Sequence, residues 1–184
     1  MNALVEWEGI ERPAVVFGVS KPRTTISLLA GVGLIALGFF AIADGRDRLI
    51  QVVGVFLVAL SLISLYGALN GLRGRAYLAL ITGGILWRTP AGSSFVRWET
   101  IETVGHYQVS WQRFLGLKTS VRPRITGGVM RAFGVIGRLD RRLMGWDVGY
   151  PLWLIERSGE FEELVTRCVT QPEARTGLGQ QATT

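Results

Sequence analysis

Two stretches of the chain show no alternation of polar and apolar positions. Residues 24–43, TTISLLAGVGLIALGFFAIA, carry no charge, and residues 49–69 carry none either, with Gln51 their one strongly polar side chain. As helices, each run spans about 30 Å, the thickness of a bilayer's hydrocarbon layer. Neither has a polar stripe for water to wet. A chain of 184 residues leaves too little protein to bury both helices in a soluble core. The five residues between them, Asp44-Gly45-Arg46-Asp47-Arg48, can only reverse the chain, so an antiparallel transmembrane hairpin is expected. A cleaved signal peptide fits the first run badly. Glu6, Glu8 and Glu11 precede it, it is too long, and a second span follows at once. Residues 1–23 read as an N-terminal cytoplasmic segment.

Beyond Gly74 the period changes to two. Residues 76–81 and 85–89 read as strands about a Thr82-Gly83-Gly84 turn, whose adjacent glycines can supply positive φ angles. Pro90-Ala91-Gly92 breaks the chain before a strand at 95–98. From Val104 onward Tyr107, Val109 and Trp111 take one face, while His106, Gln108, Ser110 and Gln112 take the other. Leu115, Leu117, Thr119 and Val121 then oppose Gly116, Lys118, Ser120 and Arg122 until Pro123 ends the strand. Trp146, Val148 and Tyr150 make a further short strand. A helix follows. Ser158 is its expected N-cap, and Glu160, Glu162 and Glu163 complement the helix dipole. Phe161, Leu164, Val165, Cys168 and Val169 have the spacing of one buried face. Pro172 stops the helix, and 172–184 are expected to form a disordered tail.

Within this outline, Phe95-Val96-Arg97-Trp98-Glu99-Thr100-Ile101-Glu102-Thr103-Val104 resembles the W-x-D/E-I-x-x-V element of bacterial pleckstrin-homology-like membrane proteins. Gly84-Ile85-Leu86-Trp87 precedes it and Asp147-Val148-Gly149-Tyr150-Pro151-Leu152 follows it in the order of that family. The resemblance covers residues 13–171. It implies Trp98, Ile101 and Val104 pointing inward, Glu99 pointing outward, and two transmembrane helices ahead of a small domain. The expected fold class is a membrane α-helical hairpin (two transmembrane helices) plus an α+β pleckstrin-homology-like domain at 74–171. That domain would be a small antiparallel β-barrel capped by a C-terminal amphipathic helix. Phosphoinositide binding does not come with the resemblance. The first hairpin turn lacks the basic residues that bind those headgroups, Arg88 being the nearest downstream charge, and a scaffold does not fix a function.

Charge sets the orientation. Lys21 and Arg23 precede the first span, Arg73 and Arg75 follow the second, and the loop holds Arg46 and Arg48. That excess favours both termini on the cytoplasmic side of a bacterial inner membrane. The formal net charge is +6, unevenly spread: residues 73–142 hold 12 basic and 3 acidic side chains, residues 143–184 hold 3 and 6. The basic part begins where the second span leaves the bilayer, where an anionic leaflet attracts each nearby Arg or Lys by about 1 kcal/mol. Inside it, residues 129–144 form an amphipathic basic insertion, with Phe133 on the apolar side and Arg131, Arg138, Arg141 and Arg142 opposite. Gly134 and Gly137 weaken that helix, and Asp140 and Val135 fall on the wrong sides. Two placements stand for it: in the membrane interface, or packed on the barrel with its arginines solvated. The candidate membrane-surface contacts are therefore Arg73, Arg75, Arg131, Phe133, Arg138, Arg141 and Arg142. Nucleic acid is not an expected partner. Trp87, Trp98, Tyr107 and Trp111 fall at core-facing positions instead of forming a stacking platform.

Small residues four apart mark candidate helix packing: Ser27 with Gly31, Ser64 with Ala68, and Gly67 with Gly71. They could serve packing within the hairpin or self-association. The uncharged spans argue against an ion or proton pathway. Cys168 is the only cysteine and His106 the only histidine. One chain can therefore build neither a disulfide nor a His/Cys zinc site. Nucleophile-elbow, Walker and dinucleotide motifs are missing. Glu99 and Glu102 read as solvated surface carboxylates, and no cofactor is expected. The expectation is a non-catalytic integral inner-membrane protein whose cytoplasmic domain mediates protein or membrane-surface interactions. An accessory or assembly subunit of a larger membrane complex is the alternative, and a membrane-bound enzyme of unrecognised type the second. The expected partners are the lipid bilayer, anionic lipid headgroups, and other membrane proteins or a second copy of the chain.

Overall fold

The computed structural model describes residues 2–7, 9–44, 47–127 and 144–180. The chain begins with two strands, β1 (Asn2–Trp7) and β2 (Ile10–Gly18), and then enters two long helices, α1 (Lys21–Asp44) and α2 (Arg48–Leu72). It returns through β3 (Tyr77–Ile81), β4 (Gly84–Thr89), β5 (Gly92–Arg97), a short 3-10 turn (Trp98–Thr100), β6 (Ile101–Val109), β7 (Gln112–Thr119) and β8 (Arg124–Thr126). Strand β9 (Val148–Pro151) leads to two closing helices, α3 (Ser158–Thr170) and α4 (Ala174–Gln180).

Helices α1 and α2 are long and apolar enough to cross a membrane, and most of their surface is open. Phe40 is 72 % and Phe56 62 % exposed, which separates them from core helices of a soluble protein. Asp47 caps α2, its carboxylate accepting a bond from the Leu49 N–H at 2.9 Å.

The hairpin does not precede the sheet domain; it is inserted into it. Residues 1–23, expected as a segment apart, supply β1 and β2, and β2 pairs antiparallel with β3 from Ala14↔Ile81 to Gly18↔Tyr77. Five strands follow one another in a six-stranded antiparallel sheet, β1-β2-β3-β4-β5-β8, and a three-stranded sheet, β6-β7-β9, packs against it. The expected closed barrel is not formed among the described residues: the sheets remain two.

Both faces of the larger sheet are apolar. One face, with the smaller sheet and α3, encloses Phe17, Leu80, Ile85, Trp98, Leu115, Tyr150, Phe161 and Val165. Phe161 meets Phe17 and Tyr150 edge-on, at centroid distances of 5.4 and 5.7 Å. The other face buries Ala14, Ala79, Ile81 and Leu86. There the β1–β2 hairpin folds over, so that Trp7 on β1 lies 4.9 Å from Phe95 on β5. Arg88 on β4 also donates to the Glu6 carbonyl on β1.

The Trp98 motif behaves as the resemblance implies: Trp98 and Ile101 are buried, Val104 packs on the core, and Glu99 is exposed. Elsewhere the structure corrects the sequence reading. Gly83 does not take a positive φ; the hairpin needs glycine next door, where a Cβ on Gly84 would sit 2.1 Å from the Val96 carbonyl oxygen. Ser158 does not cap α3. The N-cap is Arg157, held at φ 53°, with no side-chain cap bond. Residues 174–180 are helical instead of disordered, because Leu178 finds a buried site in the main core. Arg175 ties that helix down through Nε–H to the Cys168 carbonyl at 2.7 Å.

The outer face of the small sheet has its own filling. Gly105, Gly116 and Gly149 lie side by side across β6, β7 and β9. They leave a shallow floor on which Trp146 lies, a Cβ on Gly116 falling 2.4 Å from its ring. Tyr107 stacks on both Trp146 and Phe114, and Lys118 sits 5.6 Å over the Trp146 ring.

Candidate membrane interface

Close helix packing sets the hairpin's shape. Thr24, Gly31 and Gly38 on α1, and Gly54, Ser61 and Ala68 on α2, are the buried positions of the two spans outside the domain junction. Within each helix they are seven residues apart. That is the seam of two antiparallel helices wound with a left-handed crossing. Gly38 and Gly54 mark the closest approach: a Cβ on Gly54 would lie 2.7 Å from the Gly38 carbonyl oxygen. The small residues spaced four apart lie partly on this surface and partly away from it. Gly31 packs on Leu65, Gly71 packs on Val19 and Thr24, and Ala68 is buried. Ser27 is half-buried and bonds the Arg23 carbonyl. Ser64 and Gly67 face outward, and Gly67 has open space around it.

The polar groups at the domain end of the two long helices are satisfied locally. The Thr24 hydroxyl donates to the Ser20 carbonyl at 2.7 Å, and the Asn70 amide to the Tyr66 carbonyl at 2.8 Å. Arg73 caps α2, its N–H bonding the Gly71 and Leu69 carbonyls, and Gly74 turns the chain at φ 70°. Arg73 and Arg75 are exposed at this end, beside the helix C-terminus whose dipole favours them. Arg131, Phe133, Arg138, Arg141 and Arg142 lie outside the described residues.

The start of α1 is bound to the far end of the chain. Val19 bridges Ile155, the Ser20 N–H donates to the Leu154 carbonyl at 2.8 Å, and the Glu156 N–H to the Gly18 carbonyl at 3.0 Å. Arg23 donates to the Trp153 carbonyl. Arg157 reaches the Val16 carbonyl, pairs with Glu160 at 2.9 Å and covers the Phe17 ring. An open recess between the two segments is lined by Ser20, Arg23, Glu156, Arg157 and Ser158.

Beside this junction stands an aromatic pair that the alternation pattern missed. Trp111 is 70 % exposed, where a core-facing position was expected. The face of β6 that carries Tyr107 is the outer one, His106 being the residue opposite the core Leu115, and the hairpin then reverses at Ser110-Trp111, with Ser110 at φ 54°. Trp111 stacks edge-on against Trp153 at 5.5 Å.

The candidate chemical groups are structural in their contacts. His106 Nε2 lies 2.9 Å from Glu162, joining β6 to α3. Glu99 faces Arg175 at 3.8 Å, and Glu102 is exposed. Cys168 is buried in the core, and burial pushes its thiol up, against the opposing pull of Arg175 and Arg167. Burial likewise pushes the Tyr150 hydroxyl up. Among the described residues no three His, Cys, Asp or Glu side chains converge as metal ligands. No protein-family model, curated protein or solved structure matches the chain.

Proposed function

We propose that the chain is a non-catalytic inner-membrane protein of a bacterium. In this reading α1 and α2 cross the bilayer with both ends of the chain in the cytoplasm. The two-sheet domain is an interaction module held against the inner leaflet, taking another protein or anionic lipid as its partner.

The observation that carries this is the insertion of the hairpin between neighbouring strands. Two residues separate β2 from α1, four separate α2 from β3, and Gly18 sits opposite Tyr77 in the sheet. Links that short prevent the domain from swinging away from the surface that its helices enter. A domain fixed at the headgroups suits recognition of partners that share the membrane. The likeness to bacterial pleckstrin-homology-like domains is supported by four strands, β2 to β5, facing three, β6, β7 and β9, with α3 packed on the core between them. The hairpin's place between the first two of those strands departs from the layout expected of that family.

A second reading, an accessory subunit packed among other spans, is favoured by small residues on the outer surface. Gly33 and Gly67 have nothing within 4 Å of an added Cβ, and Ser64 is exposed.

Photo-crosslinking in intact membranes separates the readings. With the crosslinker at Arg75, capture of a protein or of anionic lipid is expected. Capture of nothing from Arg75, together with capture of a membrane protein from Gly67, would reject the interaction module in favour of the accessory subunit.

A further inference from the structure

Trp111 is out of place on a water-facing hairpin. A two-residue β-turn favours Asn-Gly or another Gly-containing pair. Here the turn is Ser110-Trp111, with the non-glycine Ser110 at φ 54° and a large aromatic ring 70 % exposed beside it. The turn's position gives the reason. Trp111 stacks on Trp153 at 5.5 Å, and the Trp153 carbonyl accepts a bond from Arg23. Arg23 immediately precedes the uncharged run that starts at Thr24. The aromatic pair therefore lies level with the point at which α1 enters the apolar layer.

The surroundings are basic. Lys21 and Arg23 are exposed on the first turn of α1, and Arg113 is exposed next to the turn, its carbonyl receiving the Leu152 N–H at 3.0 Å. Indole rings prefer the membrane–water interface, where an apolar body and a polar N–H are both accommodated. Basic side chains beside them meet lipid phosphates.

We propose that Trp111, backed by Trp153 and flanked by Lys21, Arg23 and Arg113, is a second attachment of the sheet domain to the bilayer, seated among the phospholipid headgroups of the leaflet that α1 enters. This rests on the transmembrane reading of the hairpin and goes beyond it. The spans fix where the domain is, and the tryptophan pair fixes which side of it faces the lipid. The surface left outward for partners is then the opposite one.

The test uses the full chain in phospholipid vesicles brominated near the top of the acyl chains, with tryptophan fluorescence as the readout. Wild type is expected to be quenched. Trp111→Phe is expected to lose most of the quenchable component, while Trp7→Phe, altering a ring buried against Phe95, keeps it. An unchanged circular dichroism spectrum serves as the fold control for Trp111→Phe. Equal quenching of Trp111→Phe and wild type would overturn the proposal, as would quenching of Trp111 by aqueous iodide in vesicles as complete as in detergent. Alkaline carbonate separates the two levels. A chain that stays in the vesicles while Trp111 is open to iodide overturns the attachment alone, and a chain released by carbonate overturns the hairpin reading as well.

Discussion

Trp98→Ala is expected to destabilise the sheet domain by about 3–5 kcal/mol, the range for truncating a large buried aromatic. Trp98 is 1 % exposed, and its indole N–H donates to the Ile81 carbonyl at 2.9 Å across the core. Truncation opens a cavity between the two sheets and removes a buried hydrogen bond, and both effects act in the same direction. The residue also holds the 3-10 turn by which the chain passes from the large sheet to the small one. Denaturant unfolding of the detergent-solubilised chain, followed by circular dichroism, measures the change. Trp111→Ala is the internal comparison: in detergent it should move stability by no more than about 0.5 kcal/mol, as expected of an exposed site.

Gly54→Leu should separate the two long helices at their closest contact. A Cβ at this position would lie 2.7 Å from the Gly38 carbonyl oxygen and 3.2 Å from the Ala41 side chain. The obstacle is backbone, so no rotamer change relieves it and the helix axes must move apart. Overpacking of this kind costs about 1–3 kcal/mol, and the displacement would be carried along the heptad seam to Gly31 and Ala68. Gly67→Leu, with open space around the same kind of substitution, should leave the hairpin unchanged. A fall in the melting temperature in detergent for Gly54→Leu, absent for Gly67→Leu, is the expected result. Equal effects at the two positions would show that the seam does not hold the pair together.

The parts of this fold that could be read from the sequence are those governed by one dominant signal. Length and apolarity marked both spans, and alternation marked most strands of the second half. The 3.6-residue stripe of Phe161, Val165 and Cys168 marked the closing helix. What escaped did so for definable reasons. Strand β2 shows no alternation because Ala14 is buried on one face and Val15 and Phe17 on the other. A strand buried on both faces loses its period-two signature, and the Pro-Ala-Val-Val-Phe-Gly run was the available clue. Helix α4 has two glycines and weak propensity; it forms because Leu178 and Arg175 find partners in the core, a tertiary effect that local pattern does not carry. The hairpin seam repeats every seven residues, so of the small residues paired four apart Gly31 and Ala68 fall on it, Gly71 lies at the domain junction, and Ser64 and Gly67 lie on the outer surface. Trp111 was misplaced because the β6 face that carries Tyr107 is the outer one of the small sheet, and because alternation was counted on through a turn. With it went the aromatic part of the candidate membrane interface, for which the sequence reading had named only Arg73 and Arg75 among the described residues.

Everything functional proposed for this chain depends on the hairpin crossing a bilayer with the sheet domain inside the cell. Thiol labelling of spheroplasts with a membrane-impermeant maleimide tests this most directly, using full-length chains carrying Cys168→Ala and one new cysteine each. Arg48→Cys, at the start of α2, should be labelled from outside. Glu173→Cys, exposed between α3 and α4, should be labelled only once the membrane is permeabilised. Labelling of Glu173→Cys in intact spheroplasts, or protection of Arg48→Cys until permeabilisation, would contradict the orientation and the function built on it.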